Sequence, residues 1–355
     1  MTESPLNRVN LRARVQQALS DYLAQHRPRL AAVSPDLTMF VDVLTDLVAG
    51  GKRLRPAFCY WGWRGAGGED NDRIVAAATS LELLHACAIV HDDVMDASDT
   101  RRGLPSVHKR FAASHESAGL RGDPAAFGVG SAILLGDLCL AWADEMLMAS
   151  GLPFDALLRA RAPYDEMRSE LMAGQYLDLL EQARGEGSVD GAMRVLLFKS
   201  AKYTVERPLH IGARLAGADD QLVAAYSAYG IPLGEAFQLR DDVLGVFGDP
   251  DETGKPAGDD LREGKQTVLV AETLARASVA QRDVVLAGLG DPKLGDQAVA
   301  ELRRIIEETG AVAEVERRIS ELTARALAAL DTAAVEPEAS QVLRELATAA
   351  TARRD

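Results

Sequence analysis

The chain has 355 residues, 47% of them hydrophobic, and a formal net charge of −14. That is enough apolar material for one large core or two ordinary ones. The acidity excludes a nucleic-acid binder, because the phosphates of such a partner demand a basic footprint. Cys59, Cys87 and Cys139 are widely spaced inside apolar stretches; they read as buried free thiols of a reducing compartment, which excludes a disulfide scaffold.

The first residues, MTESPLNRVNLRARVQQALSDYL, contain no apolar signal-peptide core, and their acidic residues do not suit a transit peptide. Periodicity predicts helices over 11–25 and 36–49. AGGKRLRPAF (49–58) then sets Lys52, Arg53 and Arg55 between a glycine pair and Pro56. The glycines permit close backbone approach and the proline suits a helix start, so amides and basic side chains can face an anion together.

The run IVAAATSLELLHACAIV (74–90) carries apolar residues at three-to-four spacing without Gly or Pro, a buried-helix pattern. It leads into HDDVMDASDTRRG (91–103). Asp92 and Asp96, four apart, share one face at the negative end of the helix dipole, so dipole and like-charge repulsion both disfavour them. Something cationic has to compensate. Arg101 and Arg102 either fold back onto these carboxylates or point apart toward two different anions.

Further helices are predicted over 131–149, 156–183 and 301–330. The longest apolar run, AAFGVGSAILLG (125–136), stops at Asp137 after 12 residues, too short to span a membrane; the expectation is a soluble, cytoplasmic chain without membrane insertion. KSAKYT (199–204) contributes Lys199. LGEAFQLRDDVLGVFGD (233–249) repeats the anomaly of the first cluster, an apolar helical stretch ending in Asp241 and Asp242, 149 positions beyond Asp92. GKPAGDDLREGKQT (254–267) adds Lys255. Loops fall at 67–72, 97–106, 114–124, 248–265 and 288–296, and alternating strand-like runs are missing. The fold class is therefore all-α. One domain is expected over 35–332, preceded by an N-terminal helical segment (1–34) and followed by a polar tail (333–355).

Two carboxylate pairs on facing helices suit a hard divalent cation. Mg²⁺ takes one or two carboxylates per ion, keeps waters, and completes its shell with phosphate oxygens. Lys52, Arg55, Arg101, Arg102, Lys199 and Lys255 would give the phosphates a ring of fixed cations. Each of these alone is an ordinary surface charge; together with the aspartates they describe a site for phosphorylated substrates.

GGKRLRP (50–56), ELLHACAIVHDDVMDASDTRRG (82–103), KSAKYT, QLRDDVLGVFGD (238–249) and GKPAGDDLREGKQT resemble, in order and spacing, the trans-isoprenyl diphosphate synthases. The form of the second motif looks most like actinobacterial-type geranylgeranyl diphosphate synthases. The resemblance covers roughly 35–330 and implies a single-domain antiparallel helical bundle around a central apolar cavity, acting as a homodimer. It implies that Asp92 and Asp96 bind two Mg²⁺ bridging the allylic diphosphate, and that Asp241 holds a third ion with Asp242 acting through water. Asp93 lies off that face, behind the ligands. The resemblance also implies that Arg101, Lys199 and Lys255 contact the allylic diphosphate, that Lys52, Arg55, His85 and Arg102 bind isopentenyl diphosphate, and that Gln238 supports the reacting allyl group. One departure stands out: Gly245 replaces the last aspartate of the second motif, and Asp249 reads as a loop residue rather than its substitute. His91 reads as a satisfied core histidine.

The implied reaction is ionisation, condensation and elimination, with geranylgeranyl diphosphate the expected product and farnesyl diphosphate the alternative. Ala88 lies one turn, about 6 Å, below Asp92 and Leu84 two turns, about 12 Å. Cys87 and Ala88 are small and leave the upper pocket open, whereas Leu84 and Leu81 are the first bulky candidates for a floor. A class I terpene cyclase shares the ionisation chemistry but needs no second diphosphate site. A metal phosphohydrolase built on His85, His91 and Asp92 lacks further helical ligands, because His108 and His115 fall in loop-like sequence. A non-catalytic partner subunit would not need intact acidic and basic motifs.

Overall fold

The three-to-four spacing of apolar residues is realised as helix along almost the whole chain. The computed structural model describes residues 5–101, 103–185, 187–248, 258–291 and 293–351. In chain order the first helices are α1 (Leu11–Val33), α2 (Thr38–Leu47), α3 (Leu54–Gly65) and α4 (Asp72–Met95). A two-residue hairpin follows, β1 (Thr100–Arg101) antiparallel to β2 (Leu104–Pro105), with Arg101 opposite Leu104. Next come α5 (Val107–Ser117), α6 (Pro124–Met148), α7 (Phe154–Arg184) and α8 (Val189–Val195), then a π-helical segment, Leu196–Glu206. The remainder is α9 (Arg207–Ala216), α10 (Asp220–Phe247), α11 (Asp259–Arg262), α12 (Val268–Arg276), α13 (Val279–Gly288), α14 (Asp296–Glu308), α15 (Ala311–Asp331) and α16 (Pro337–Thr351).

Two long helices position the site. The first, α4, starts where the Asn71 side chain accepts the amides of Arg73 and Ile74, with Asp72 in the favourable first turn. Its 24 residues span about 36 Å and are buried along most of their length, packed against α6, α3 and α1. The second, α10, starts where Asp219 accepts the Leu222 amide and runs about 42 Å over 28 residues. Its Tyr226, Tyr229, Leu233 and Phe237 belong to the main core, while Leu239, Val243 and Val246 belong to a second cluster with α12, α14 and α15. This helix therefore joins the two apolar clusters, and fully burying each such side chain stabilises by about 1.5–3 kcal/mol.

Three expectations change. The helix predicted over 301–330 is two helices, because Gly310 adopts φ 76° and lets the chain turn between α14 and α15. The tail expected from 333 is not a polar tail over its described length: α16 buries Ala339, Val342, Leu343, Leu346 and Ala350, in the same core as α4. Glu336 N donates to the Gly65 carbonyl at 3.0 Å, and Tyr229 Oη donates to the Leu343 carbonyl at 2.7 Å. The apolar segment near 125 does not stop at Asp137. Both α4 and α6 are long and apolar enough to cross a membrane by length and composition, although 72% of the α4 window is buried in the bundle against 39% of that in α6.

Candidate active site

The C-terminal end of α4 presents its carboxylates in three environments. Asp92 is half-buried, accepting from Lys199 Nζ at 3.0 Å and Gln175 Nε2 at 3.0 Å. Burial opposes its charge, but Lys199, Lys265 and Arg101 outweigh that and hold its carboxyl below the usual range. Asp93 points inward, fully buried, and accepts from Arg101 Nε at 2.8 Å; burial raises its pKa despite that bond. Asp96 caps the helix with both carboxylate oxygens buried and without a hydrogen-bond partner. Burial, then the neighbouring Asp92 charge, pushes its pKa up to about 6. Arg101, on the hairpin, thus folds back onto Asp93, with Nη2 3.5 Å from Asp92.

Lys199 is aimed by the π-helical segment. Its Nζ reaches Asp178 of α7 at 2.6 Å as well as Asp92. A wide turn of this kind re-registers side chains and is frequent at functional sites. Here it sits between two glycines: a Cβ on Gly174 would lie 2.5 Å from Lys199 N, and one on Gly234 2.5 Å from Ala201 Cα. Four residues beyond Lys199 the same segment serves a second group. The Arg55 guanidinium lies over the Tyr203 ring, 4.1 Å from its centroid, and donates to Thr204 Oγ1 at 2.9 Å. His85 Nδ1 faces Tyr203 Oη at 3.3 Å. Lys52 is exposed in the loop that precedes α3.

The second acidic end is that of α10. Asp241 is half-buried, and buried Asp242 accepts from Gln238 Nε2 at 2.8 Å. Burial, opposed by that bond and reinforced by Asp260 and Asp241, raises the Asp242 pKa to about 7. Lys265 ties the two ends together. Its ammonium lies 3.3 Å from Asp260 and 2.5 Å from Glu263, and its field reaches Asp92, Asp96 and Asp242. Those carboxylates raise its pKa although burial opposes its charge. Ser98 Oγ, just beyond α4, meets Glu263 at 3.4 Å, so the loops after the two motifs touch.

The structure therefore gathers Asp92, Asp96, Asp241, Asp242, Arg101, Lys199 and Gln238 about one cationic junction, with Arg55 and His85 grouped on Tyr203 beside it. Arg102, Asp249 and Lys255 lie outside the described residues. Of the expected pocket residues, Ala88 is half-buried on the same face as His85 and Asp92, while Leu84 and Leu81 are fully buried. Cys87 turns toward α6, its sulfur 3.8 Å from His91 Nδ1, and His91 Nε2 meets the Ile133 carbonyl at 3.1 Å. Reading the sequence missed Lys265, Asp178 and Gln175. Lys265 stands in DDLREGK, which looks like a solvated charge run, and the other two lie on a long amphipathic helix without a motif of their own.

The donor set fits a hard cation. Its members are carboxylates, and the two unpartnered, buried oxygens of Asp96 want a positive partner. Among the described residues no three His, Cys, Asp or Glu side chains converge as a metal-holding cluster.

Comparison with known proteins agrees with this geometry. The polyprenyl synthetase family model matches residues 38–308. A geranylfarnesyl diphosphate synthase of Aeropyrum pernix is 33% identical over 84% of this chain and 89% of that protein. A geranylgeranyl diphosphate synthase of Sulfolobus acidocaldarius is 31% identical over 83% of this chain and 82% of that one. The crystal structure of geranylgeranyl pyrophosphate synthase from Corynebacterium glutamicum, complexed with isoprenyl diphosphate and magnesium, superposes with a TM-score of 0.94 at 42% identity over 100% of both chains. With five motifs in order and the helical bundle shared throughout, this chain belongs to the polyprenyl synthetase family.

Proposed function

We propose that this chain is a magnesium-dependent trans-prenyltransferase that condenses an allylic diphosphate with isopentenyl diphosphate to give geranylgeranyl diphosphate. The observation that carries the reading is the pair of acidic helix ends sharing one half-buried ammonium, with the carboxylate oxygens of Asp96 buried and unpartnered beside them. Asp92, Asp96 and Asp241, with Asp242 behind, are the residues that would hold three Mg²⁺ ions. Bound there, magnesium supplies positive charge to the diphosphate as it leaves. Lys199, Arg101 and Lys265 are fixed cations aimed at the same space, and preorganised charge of this kind is the largest catalytic contribution in such chemistry. Gln238, whose amide donates to Asp242, would support the reacting allyl group. Lys255 would join Arg101 and Lys199 on the allylic diphosphate, and Arg55 and His85, braced on Tyr203, would bind isopentenyl diphosphate together with Lys52 and Arg102; this second basic group favours a synthase over a cyclase. The helical shell keeps water from the allylic cation, and the released diphosphate accepts the proton.

Product length follows from α4. The half-buried positions 85, 88 and 92 mark a face open to a growing chain, and the buried Leu84 and Leu81 close it two turns down. A homodimer in the cytoplasm is part of the proposal: α6 and α7 carry exposed apolar residues, and the three cysteines are free and buried.

The test is mass analysis of products from the pure protein given Mg²⁺, isopentenyl diphosphate and each short allylic primer. Geranylgeranyl diphosphate is expected, with longer products from Leu84→Gly. No consumption of isopentenyl diphosphate sinks the assignment, and an unaltered product from Leu84→Gly moves the floor elsewhere.

A further inference from the structure

The π-helical segment crosses α7 at Gly174, where a Cβ would lie 2.5 Å from Lys199 N, 2.8 Å from the Phe198 carbonyl carbon and 2.9 Å from Lys199 Cα. All three are backbone atoms, so the crossing needs glycine. Glu170 and Asp178 stand about one turn to either side of Gly174 on α7. Each takes one lysine of the segment: Lys199 Nζ donates to Asp178 at 2.6 Å, and Lys202 Nζ donates to Glu170. The crossing is therefore bolted on both sides.

The two bolts differ. Lys199 also donates to Asp92 at 3.0 Å, whereas the neighbours of Lys202 are Glu170, Glu206 at 4.0 Å and the Phe198 ring. Glu170 holds a second cation as well. Arg207, the first residue of α9, donates to it through Nε at 2.8 Å and Nη2 at 2.9 Å. One carboxylate thus ties the interior of the segment to its end, where the wide turns give way to α-helix. Burial opposes the Glu170 charge, but Arg207 and Lys202 outweigh that and hold its carboxyl below the usual range. A solvated surface pair would fix little, while a bidentate, half-buried one fixes geometry.

We propose that Glu170 is a positioning residue: by gripping Lys202 and Arg207 it fixes the register of the π-helical segment, and with it the placement of Lys199 and of Tyr203 under Arg55 and His85. The inference rests on the prenyltransferase reading for the role of Lys199. A diphosphate that draws the Lys199 ammonium loosens the Asp178 bolt, and the Glu170 bolt then keeps the segment in register.

The experiment joins steady-state kinetics to hydrogen exchange of residues 196–206, read by mass spectrometry, in the full-length chain. Glu170→Gln, close to isosteric, is expected to lower kcat on the order of 10-fold with little change in either KM, and to speed exchange within the segment. Lys202→Met opens the same bolt from the other side and leaves Glu170 paired with Arg207; it is expected to act in the same direction. The double variant should lose less than the product of the two single losses, because both remove one contact. Glu166→Gln removes the other Arg207 partner, 2.8 Å away, and leaves the crossing alone, so it is expected to keep the wild-type kcat. A brace that only stabilised the fold would lower the melting temperature with kcat intact. A folded Glu170→Gln with wild-type kcat, a change confined to KM, or single losses that simply multiply overturns the proposal. If Glu170→Gln does not fold, Lys202→Met with wild-type kcat and exchange overturns it instead. A wild-type chain that consumes no isopentenyl diphosphate removes the prenyltransferase reading, and the exchange rates still decide whether Glu170 holds the segment.

Discussion

Asp96 shows how the site trades stability for readiness. Its two oxygens are buried without partners, and its pKa is raised to about 6, while that of Asp242 is raised to about 7. A carboxyl raised above its unfolded value contributes stability that is present below that value, about 3.9, and lost as pH rises through the folded pKa. Removing the Asp96 charge should therefore help the metal-free fold most at high pH. Asp96→Asn is expected to melt above wild type at pH 8 without metal, to lose that advantage by pH 5, and to turn over on the order of 100-fold or more slowly. Scanning fluorimetry at the two pH values and initial rates check this; a lower melting point at pH 8 refutes the unpaired-charge account. At this scale the sequence carried the acidic pairs through their repetition, since two apolar helices that each end in adjacent aspartates are hard to ascribe to local solvation. It did not carry Lys265, whose neighbours Asp260 and Glu263 make it look solvated, nor Asp178 and Gln175, whose role depends on which turn of α7 faces Lys199.

At the scale of elements, the π-helical segment Leu196–Glu206 joins the two groups of side chains, sending Lys199 to Asp92 and, four residues on, Tyr203 to Arg55 and His85. Its backbone is pressed between α7 and α10 at Gly174 and Gly234. Gly234→Ala would put a methyl 2.5 Å from Ala201 Cα and 2.7 Å from its carbonyl oxygen, both backbone atoms that cannot swing aside. Such overpacking costs about 1–3 kcal/mol, and the shift passes to Lys199 two residues away. Reduced urea stability with a kcat loss larger than any change in KM is expected; a variant matching wild type in both would show that the close crossing does not aim Lys199. Long helices with regular apolar spacing, such as α4 and α7, were legible from sequence. The π turn was not, because its register is imposed by neighbours that only the fold supplies. The split at Gly310 rests on one residue in an otherwise continuous pattern, and α16 hides its buried face in alanines.

For the whole molecule the outstanding feature is the outer face of α6. Phe127, Ile133, Leu134 and Met148 are 40–59% exposed, and Phe154, Leu158, Met172 and Tyr176 are 52–65% exposed on α7. Positions 127, 130, 134, 137, 141, 145 and 148 recur at three and four, so the exposed residues of α6 form one stripe. Phe127, Ile133, Leu134 and Met148 make that stripe apolar in patches, interrupted by Asp137 and Glu145; exposed apolar patches call for a cover, and a second copy meeting the stripe across a two-fold axis covers both with one contact. The stripe also reaches the chemistry. The Ile133 carbonyl accepts from, or is faced by, His91, the residue before Asp92, so α6 helps hold the end of α4. Leu134→Glu would bury a charge against its own copy in a two-fold contact. We expect wild type to scatter light as two chains and Leu134→Glu as one, with a lower melting point and a reduced kcat for the single chain because the His91 anchor is loosened. A wild-type chain that is monomeric at assay concentration and fully active would leave the stripe uncovered and remove the dimer from the proposal.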